Sequence, residues 1–531
     1  MPSNFQSIED LQRLLELVKL TGVNINQLTQ LATSGNRDLF DQESFSEIST
    51  PDVQSIDRSS DDYFLDYTNK YIDFTYENPT TFHAVDGVGK LLEENGFTYL
   101  SEKSDWSDLK AGCYYTTRSS SSVAAFVVGS KWTPSKGVAM ICAHIDALTT
   151  KLKPNSIKDK VEGYELLGVA PYAGALSERW WDRDLAIGGR VLIKNKDSAE
   201  KSGFRITSKL INSAPRPIAH IASLAPHFGA PAEGPFNKET QMVPIIGFDG
   251  SPDPEPTESE RNSPLYGKHS LKLLRLVAEL ADVEVSELYE LDLDLYDVQK
   301  GVIGGLSSEF LFSPRIDDRI CSFSAISSLI EYANGIDQIP EESFSFVACY
   351  DNEELGSLSR QGAQGGLLES VVDRVINAYF PDKDTSSLAR VAYANSIILS
   401  ADVTHLYNPN FPGQYLENHK PVPNIGLVVS CDSNGHMATD AVGKALLQQI
   451  AELNDDKLQV FQIRNDSRSG GTIGPYLSSK TGARTVEIGI GQLSMHSIRL
   501  MTGSKDIGLA VKYFVGFFDK WREVYDSFQD L

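Results

Sequence analysis

Basic side chains are scarce in this chain. Its 531 residues carry 48 Lys and Arg against 72 Asp and Glu, a formal net charge of −24. Nucleic acid and anionic membrane surfaces are held by clustered Lys and Arg, so neither is expected as the main partner. Cysteine is also sparse. Cys113, Cys142, Cys321, Cys349 and Cys431 are scattered, odd in number and without a CxxC pair. They read as buried free thiols of a protein folded in a reducing compartment, not as a thiolate metal site or a disulfide framework. No uninterrupted apolar run is long enough to span a bilayer. The opening "MPSNFQSIEDLQRLLELVKLTG" is broken by charges throughout, unlike a secretory signal. What remains, 41% hydrophobic and 23% charged with 40 glycines, is the composition of a globular protein, and the length suggests two to four domains.

Four segments follow from the patterning. Residues 1–62 open with "SIEDLQRLLELVKL", where Ile8, Leu11, Leu15 and Val18 fall on one helical stripe. Ser7 with Asp10 forms a capping box and Gly22 suits the stop. A Ser- and Asp-rich stretch without periodicity follows and reads as a linker. Residues 63–148 alternate helix and strand patterns: "FHAVDGVGKLLEENGF" as a helix ending at glycine, "GCYYTTRSSSSVAAFVVGS" as a hairpin, and "GVAMICAHIDAL" as a buried strand. The alternation resumes over 301–531. Between them, residues 149–300 carry short strand-like runs ("GGRVLIK", "FRITSKLI", "QMVPIIGF") and the Pro- and acid-rich loop "DGSPDPEPTESERNSP". The expected fold is therefore α/β, a mixed sheet flanked by helices and split in sequence by an inserted β-rich domain.

Polar residues gather at the predicted ends of strands, where open α/β sheets bind ligands. "HID" puts His144 and Asp146 at i and i+2, on one face of a strand. "SPRIDDRI" puts Asp317 and Asp318 at a helix start, and "SFSFVACYDNEELGS" puts Glu353 and Glu354 just after a strand, before a stretch that turns helical. "IILSADVTH" ends in Ser400, Asp402 and His405, and "QLSMHSI" ends in His496. Each has a plainer reading: a hydrogen-bonded buried His, an aspartate N-cap, acids favoured by a helix dipole, polar loop residues. Together the five strand-end sites supply His, Asp, Glu, Asp and His. Imidazole plus carboxylate suits zinc or a related divalent ion. Two His and three carboxylates exceed one tetrahedral site and fit two metals about 3.5–4 Å apart with one shared carboxylate. One of the adjacent glutamates would then bind a metal, and the other stay free as a base.

The ordered set "HIDAL", "SPRIDDR", "YDNEELGS", "SADVTHLYNPN", "RNDSRSGGTIGP" and "QLSMHSIR" resembles the aspartyl aminopeptidase and aminopeptidase I family of dinuclear zinc exopeptidases, over about residues 63–531. "PYAGAL…WWDRDLAIGGR" and "SLAPHFGAPAEGPF" in the insert place it nearest the fungal vacuolar branch. The resemblance implies two Zn²⁺ per subunit: His144 and Glu354 as ligands, Asp317 bridging, Asp402 and His496 completing the set. It implies Glu353 as general base and Asp146 as the residue that fixes the tautomer of His144. His405 and Asp318 take no ligand role in the motif. It further implies peptides with a free N-terminus as substrates and a tetrahedral homododecamer that the insert helps assemble. The N-terminal helix would be a propeptide, read by an autophagy receptor that delivers the cytosol-assembled particle to the vacuole.

Two features bear on specificity. Family members that take acidic residues resemble "RIPHLAIH" where this chain has "HIASLAPH", so their first His falls at Ser223 while His227 is retained. They also carry basic residues near the stretch that here reads "VVSCDSNGHM", which has no Lys or Arg. A substrate carboxylate would lack its counter-charge, so neutral and hydrophobic N-terminal residues such as Leu are expected. Gly470 and Gly471 in "SGGTIGP" are candidates for close backbone approach to substrate, or simply part of a strand-to-helix turn. Aspartyl specificity, another dinuclear-zinc amide hydrolase such as a deacylase, and a non-catalytic assembly protein are the rival readings.

Overall fold

In the computed structural model, residues 57–528 are described except 198, 250–252 and 337. The helix expected at Ser7–Leu20, with Ile8, Leu11, Leu15 and Val18, lies outside the described residues.

Nine strands form one mixed sheet in the order Thr98–Tyr99, Gly112–Arg118, Ser122–Val128, Phe344–Tyr350, Ala139–His144, Ile397–Ala401, Arg484–Gly489, Val428–Cys431, Gln459–Gln462. The four central members from Phe344–Tyr350 to Arg484–Gly489 run parallel, so their C-terminal ends share one edge. Both faces are covered. Ile141 and Ala143 point into a core built with the helices Thr81–Glu94, Ile316–Asn334, Ala441–Leu453 and Asp506–Ser527. Met140 and Cys142 point the other way, to a core shared with Leu367–Tyr379, Thr385–Ala394 and Gly474–Thr481. That double cover explains why "AMICA" reads as a continuous apolar run without alternation.

Residues 150–297 build a second body. Its strands run Leu288–Asp297, Thr150–Ile157, Tyr164–Pro171, Ile245–Phe248, Ala219–His220, Asp184–Lys196, and the last pairs back onto Leu288–Asp297, closing a six-stranded barrel with Phe204–Asn212 outside it. The β-rich insert expected from sequence is thus a barrel. Its core also holds a helix the strand-like patterning did not suggest, Leu271–Ala281, capped by Ser270 and burying Leu273, Leu274, Val277 and Ala278. Part of the Pro- and acid-rich loop is ordered into a turn of helix, Glu258–Arg261, with a Thr257–Glu260 capping box.

Two small sheets position the remaining loops. Val302–Gly304, Phe310–Ser313 and Leu500–Gly503 form one, with Ser313 opposite Leu500; the chain leaves Ser313 toward Asp317 and reaches Leu500 from His496, so both residues stand at the same end. Thr404–His405 pairs in parallel with Gly491–Gln492, which draws Asp402 and His496 together. All five cysteines are free, with Cys142, Cys321 and Cys349 buried and Cys113 and Cys431 half-buried.

Candidate metal centre and active site

The C-terminal edge of the sheet carries the acids and histidines. His144 is the last residue of its strand and pairs in register with Tyr350 of the neighbouring strand, which the Glu353–Glu354 turn follows. Asp402 follows the Ile397–Ala401 strand on the other side. Its backbone lies so close to Gly489 that a Cβ there would stand 1.7 Å from the Asp402 carbonyl oxygen, so glycine is required at 489. The two acids at 353 and 354 sit in a single 3₁₀ turn, and the next helix begins only at Leu367. No helix dipole accounts for them there. Asp317 and Asp318 open the Ile316–Asn334 helix with non-helical dihedral angles and a cis peptide bond between them.

His144 hydrogen-bonds through Nδ1 to Asp146 Oδ1 at 3.2 Å. Its Nε2 is thereby turned outward, 3.4 Å from Asp317 Oδ1, 3.6 Å from Asp402 Oδ1 and 3.7 Å from Glu353 Oε2. His496 Nε2 lies 3.7 Å from Asp317 Oδ2 and 3.7 Å from Glu354 Oε2. The two oxygens of Asp317 therefore face two separate groups, His144 with Asp402 and His496 with Glu354. Ligand atoms about 2.0–2.1 Å from a tetrahedral zinc stand about 3.3 Å apart, close to these separations. Asp318 also approaches His144 and Asp402, but it is fully enclosed and its Oδ2 accepts the His144 backbone N–H at 3.4 Å. It reaches one group where Asp317 reaches both.

The electrostatics favour cations. A cleft of about 360 Å³ is lined by His144, Asp317, Glu353, Glu354, Asp402 and His496, and among the described residues no Lys or Arg lines it. Glu354 Oε1 is buried without a hydrogen-bond partner, a costly state for a carboxylate unless a cation meets it. Four carboxylates and two neutral imidazoles match the charge of two divalent ions. Burial, reinforced by Asp402, Asp146 and Asp317 against the pull of His144, pushes Glu353 up to about 8. Burial and the carboxylate of Asp317 push Glu354 up as well. Burial works to lower His144, yet Glu353, Asp146, Asp317 and Asp402 together hold it well above the usual imidazole value. Removing the cations leaves charges that must be neutralised by protons.

Asp146 is a hub. Beyond His144 it accepts the backbone N–H of Glu353 at 3.2 Å and of Glu354 at 3.3 Å, and the Tyr172 hydroxyl at 2.7 Å. Burial works against its ionised form, but these donors, His144 first, hold its carboxyl below the usual range. Gln492 Nε2 donates to Asp317 Oδ2 at 3.4 Å. Tyr172 and Gln492 escaped the sequence reading. Tyr172 stood inside "PYAGAL" with no charge or spacing to mark a role, and nothing around Gln492 signals one.

The rest of the cleft wall is mixed: Val403, Met437, Phe461, Ile463 and Met495 are apolar, and Thr404, His405, Ser430, Ser469 and Thr472 are polar. His405 lies against Phe461, ring centres 5.4 Å apart, and burial lowers its pKa. Gly470 and Gly471 line the cleft, and a Cβ on either would meet nothing within 4 Å; the fold itself does not demand glycine there. His227 lies exposed on a turn of the inserted body and Ser223 is exposed beside Asp182. Neither lines the cleft of its own chain.

Comparison with known proteins decides the family. Residues 74–518 match the aminopeptidase I zinc metalloprotease family, M18. The chain belongs to the M18 aminopeptidase family. This M18 chain is a zinc metalloaminopeptidase. It is 57% identical to vacuolar aminopeptidase 1 of Saccharomyces cerevisiae over 475 residues, 88% of this chain and 91% of that one. It is 36% identical to an aspartyl aminopeptidase of Aspergillus oryzae, covering 84% and 94% of the two. Among solved structures, the S. cerevisiae mApe1 dodecamer superposes with a TM-score of 0.79 at 52% identity, covering 88% of this chain and all (100%) of that one.

Proposed function

We propose that this M18 enzyme removes neutral and hydrophobic N-terminal residues, Leu foremost, from peptides with a free α-amine. The observation that carries the two-metal reading is the Asp317 carboxylate, whose Oδ1 faces His144 and whose Oδ2 faces His496. On this reading His144 and Asp402 would hold one Zn²⁺ and His496 and Glu354 the other, with Asp317 available to both groups. Two such ions supply Lewis-acid polarisation of the peptide carbonyl and a lowered pKa for water. Glu353, whose Oε2 reaches the same centre, takes the proton from the attacking water and returns it to the leaving amine. Asp146 fixes the tautomer of His144 and, through two backbone N–H groups, the turn that carries both glutamates. Gly470 and Gly471 leave room for the substrate backbone along the cleft.

The absence of Lys and Arg among the described residues of the cleft lining, with Met437, Phe461, Ile463 and Met495 on its wall, supports a preference for apolar side chains over carboxylates. The 57% identity to vacuolar aminopeptidase 1 supports a vacuolar site of action, and the solved dodecamer supports the same assembly here. In that scheme residues 63–148 and 301–531 form the catalytic domain and 149–300 the assembly domain. Residues 1–62 are a targeting segment that engages an autophagy receptor through Ile8, Leu11, Leu15 and Val18.

Replacement of Asp317 tests the centre. Asp317→Asn should lower the affinity for both ions and abolish peptidase activity. A variant that still binds two zinc ions tightly and remains active would refute the bridging role.

A further inference from the structure

We propose that Tyr172, contributed by the inserted barrel, is a positioning residue for the catalytic centre, acting on the metal-binding face of His144 through Asp146. The inference rests on the reading of His144 as a metal ligand.

Tyr172 follows directly on the Tyr164–Pro171 barrel strand, and its N–H donates to Thr149 O at 2.9 Å. Lys151 Nζ lies 5.5 Å from the ring centre. The side chain is 6% exposed, and burial restricts its rotamer. Its hydroxyl donates to Asp146 Oδ2 at 2.7 Å and accepts from Asn352 Nδ2 at 2.9 Å. Asn352, the residue before the two glutamates, has a left-handed backbone with φ 60°, and its Oδ1 accepts from Gln361 Nε2 at 3.1 Å. One phenol oxygen thus ties the barrel to both supports of the centre: the carboxylate that turns His144 and the turn that presents Glu353 and Glu354.

The physical consequence is specific. A carboxylate accepting from four donors is held in one rotamer and keeps its charge. Removing the phenol oxygen takes the shortest of these bonds from Asp146 and leaves Oδ2 only the Glu354 N–H at 3.3 Å, so the carboxylate is held less firmly and the His144 Nδ1 bond through Oδ1 loosens with it. Groups that orient a ligating histidine in this way typically change metal affinity ten- to a hundredfold. The catalytic centre would then depend on the inserted body for its geometry, not only for assembly.

The test uses the full chain, stripped of zinc and titrated with Zn²⁺, as four proteins: the natural sequence, Tyr172→Phe, Asp146→Asn and the double variant. Tyr172→Phe should raise the Kd of one of the two zinc ions about ten- to a hundredfold. At saturating zinc it should lower kcat for a Leu-peptide with KM within about twofold. Because Tyr172 acts through Asp146, it should change zinc affinity little in the Asp146→Asn background. Equal effects in both backgrounds, or no change in zinc Kd in the natural one, would overturn the proposal. Should Tyr172→Phe fail to fold, Asn352→Gly removes the amide that holds the hydroxyl while keeping the left-handed backbone, and the same background dependence is expected. A natural chain that does not bind two zinc ions would refute the metal assignment itself, whereas a sensitive Asp146→Asn beside an insensitive Tyr172→Phe refutes the role of Tyr172 alone.

Discussion

Glu353 and Glu354 are neighbours in sequence with different surroundings, and the proposed mechanism gives them different tasks. Glu354 Oε2 faces His496, and its Oε1 is orphaned; Glu353 Oε2 faces His144 from the cleft. Glu353→Gln is therefore expected to keep both zinc ions and lower kcat by about 10²–10⁴, the range for losing a general base. Glu354→Gln is expected to weaken zinc binding first. Zinc content and kcat measured on both variants check the division, and a fully active Glu353→Gln with two ions bound would reverse it. The acids and histidines were legible because each is polar at an apolar strand's end. The supporting residues were not. Tyr172 meets Asp146 across 26 positions and Gln492 meets Asp317 across 175, contacts that only the folded chain creates and that no periodicity encodes.

Elements set the shape of the cleft and its tolerance of charge. The segment after Val428–Cys431 and the strand Gln459–Gln462 supply Met437 and Phe461, an apolar part of its wall. An unpaired carboxylate there costs several kcal/mol, so kcat/KM for Leu-peptides should exceed that for Asp-peptides. Met437→Arg should narrow the gap or invert it, and an Asp preference of the natural chain would contradict the account. The strand Arg484–Gly489 carries a different charge problem. Glu487 is buried, accepts the Ala438 N–H at 3.1 Å, and is pushed up to about 7 by burial. Its ordinary value is near 4.5, so the folded protein holds an extra proton between about 4.5 and 7, and stability falls as pH rises through that window. Glu487→Gln carries no charge at any pH. It should match the natural chain below about pH 4 and exceed it above pH 7 by up to about 3 kcal/mol. Urea midpoints of the zinc-stripped proteins across pH would show this, and a difference independent of pH would count against it. Patterning anticipated the hairpin and the Thr81–Glu94 helix by their local periods, and the buried strand by its unbroken apolar run. The stretch from Gly356 reads as turning helical, but residues 356–366 are in turns and the helix begins only at Leu367, where the apolar run starts. Within the insert, "LKLLRLVAEL" has a helical stripe and folds as the Leu271–Ala281 helix, beside strand-like runs that suggest only strands.

At the scale of the whole molecule, the described residues form a doubly covered sheet and a barrel, and the barrel closes through Asp184–Lys196 pairing with Leu288–Asp297. Closure joins segments about a hundred residues apart, which is why composition suggested strands but not their ring. If this chain assembles as the S. cerevisiae mApe1 dodecamer does, twelve copies of the proposed N-terminal targeting segment would give strong multivalency. On that proposal, Leu11→Ser with Leu15→Ser is expected to leave peptidase activity and particle size unchanged while abolishing particle clustering and vacuolar delivery. A smaller particle would instead assign the segment a role in assembly. On the proposed mechanism two zinc ions and a free α-amine are both required. This is checked by titrating the zinc-stripped full chain with Zn²⁺ while following hydrolysis of a Leu-peptide and of its N-acetylated form. Activity should reach its plateau at two ions per chain and be confined to the free peptide; a plateau at one ion, or equal cleavage of the acetylated peptide, would rule the mechanism out.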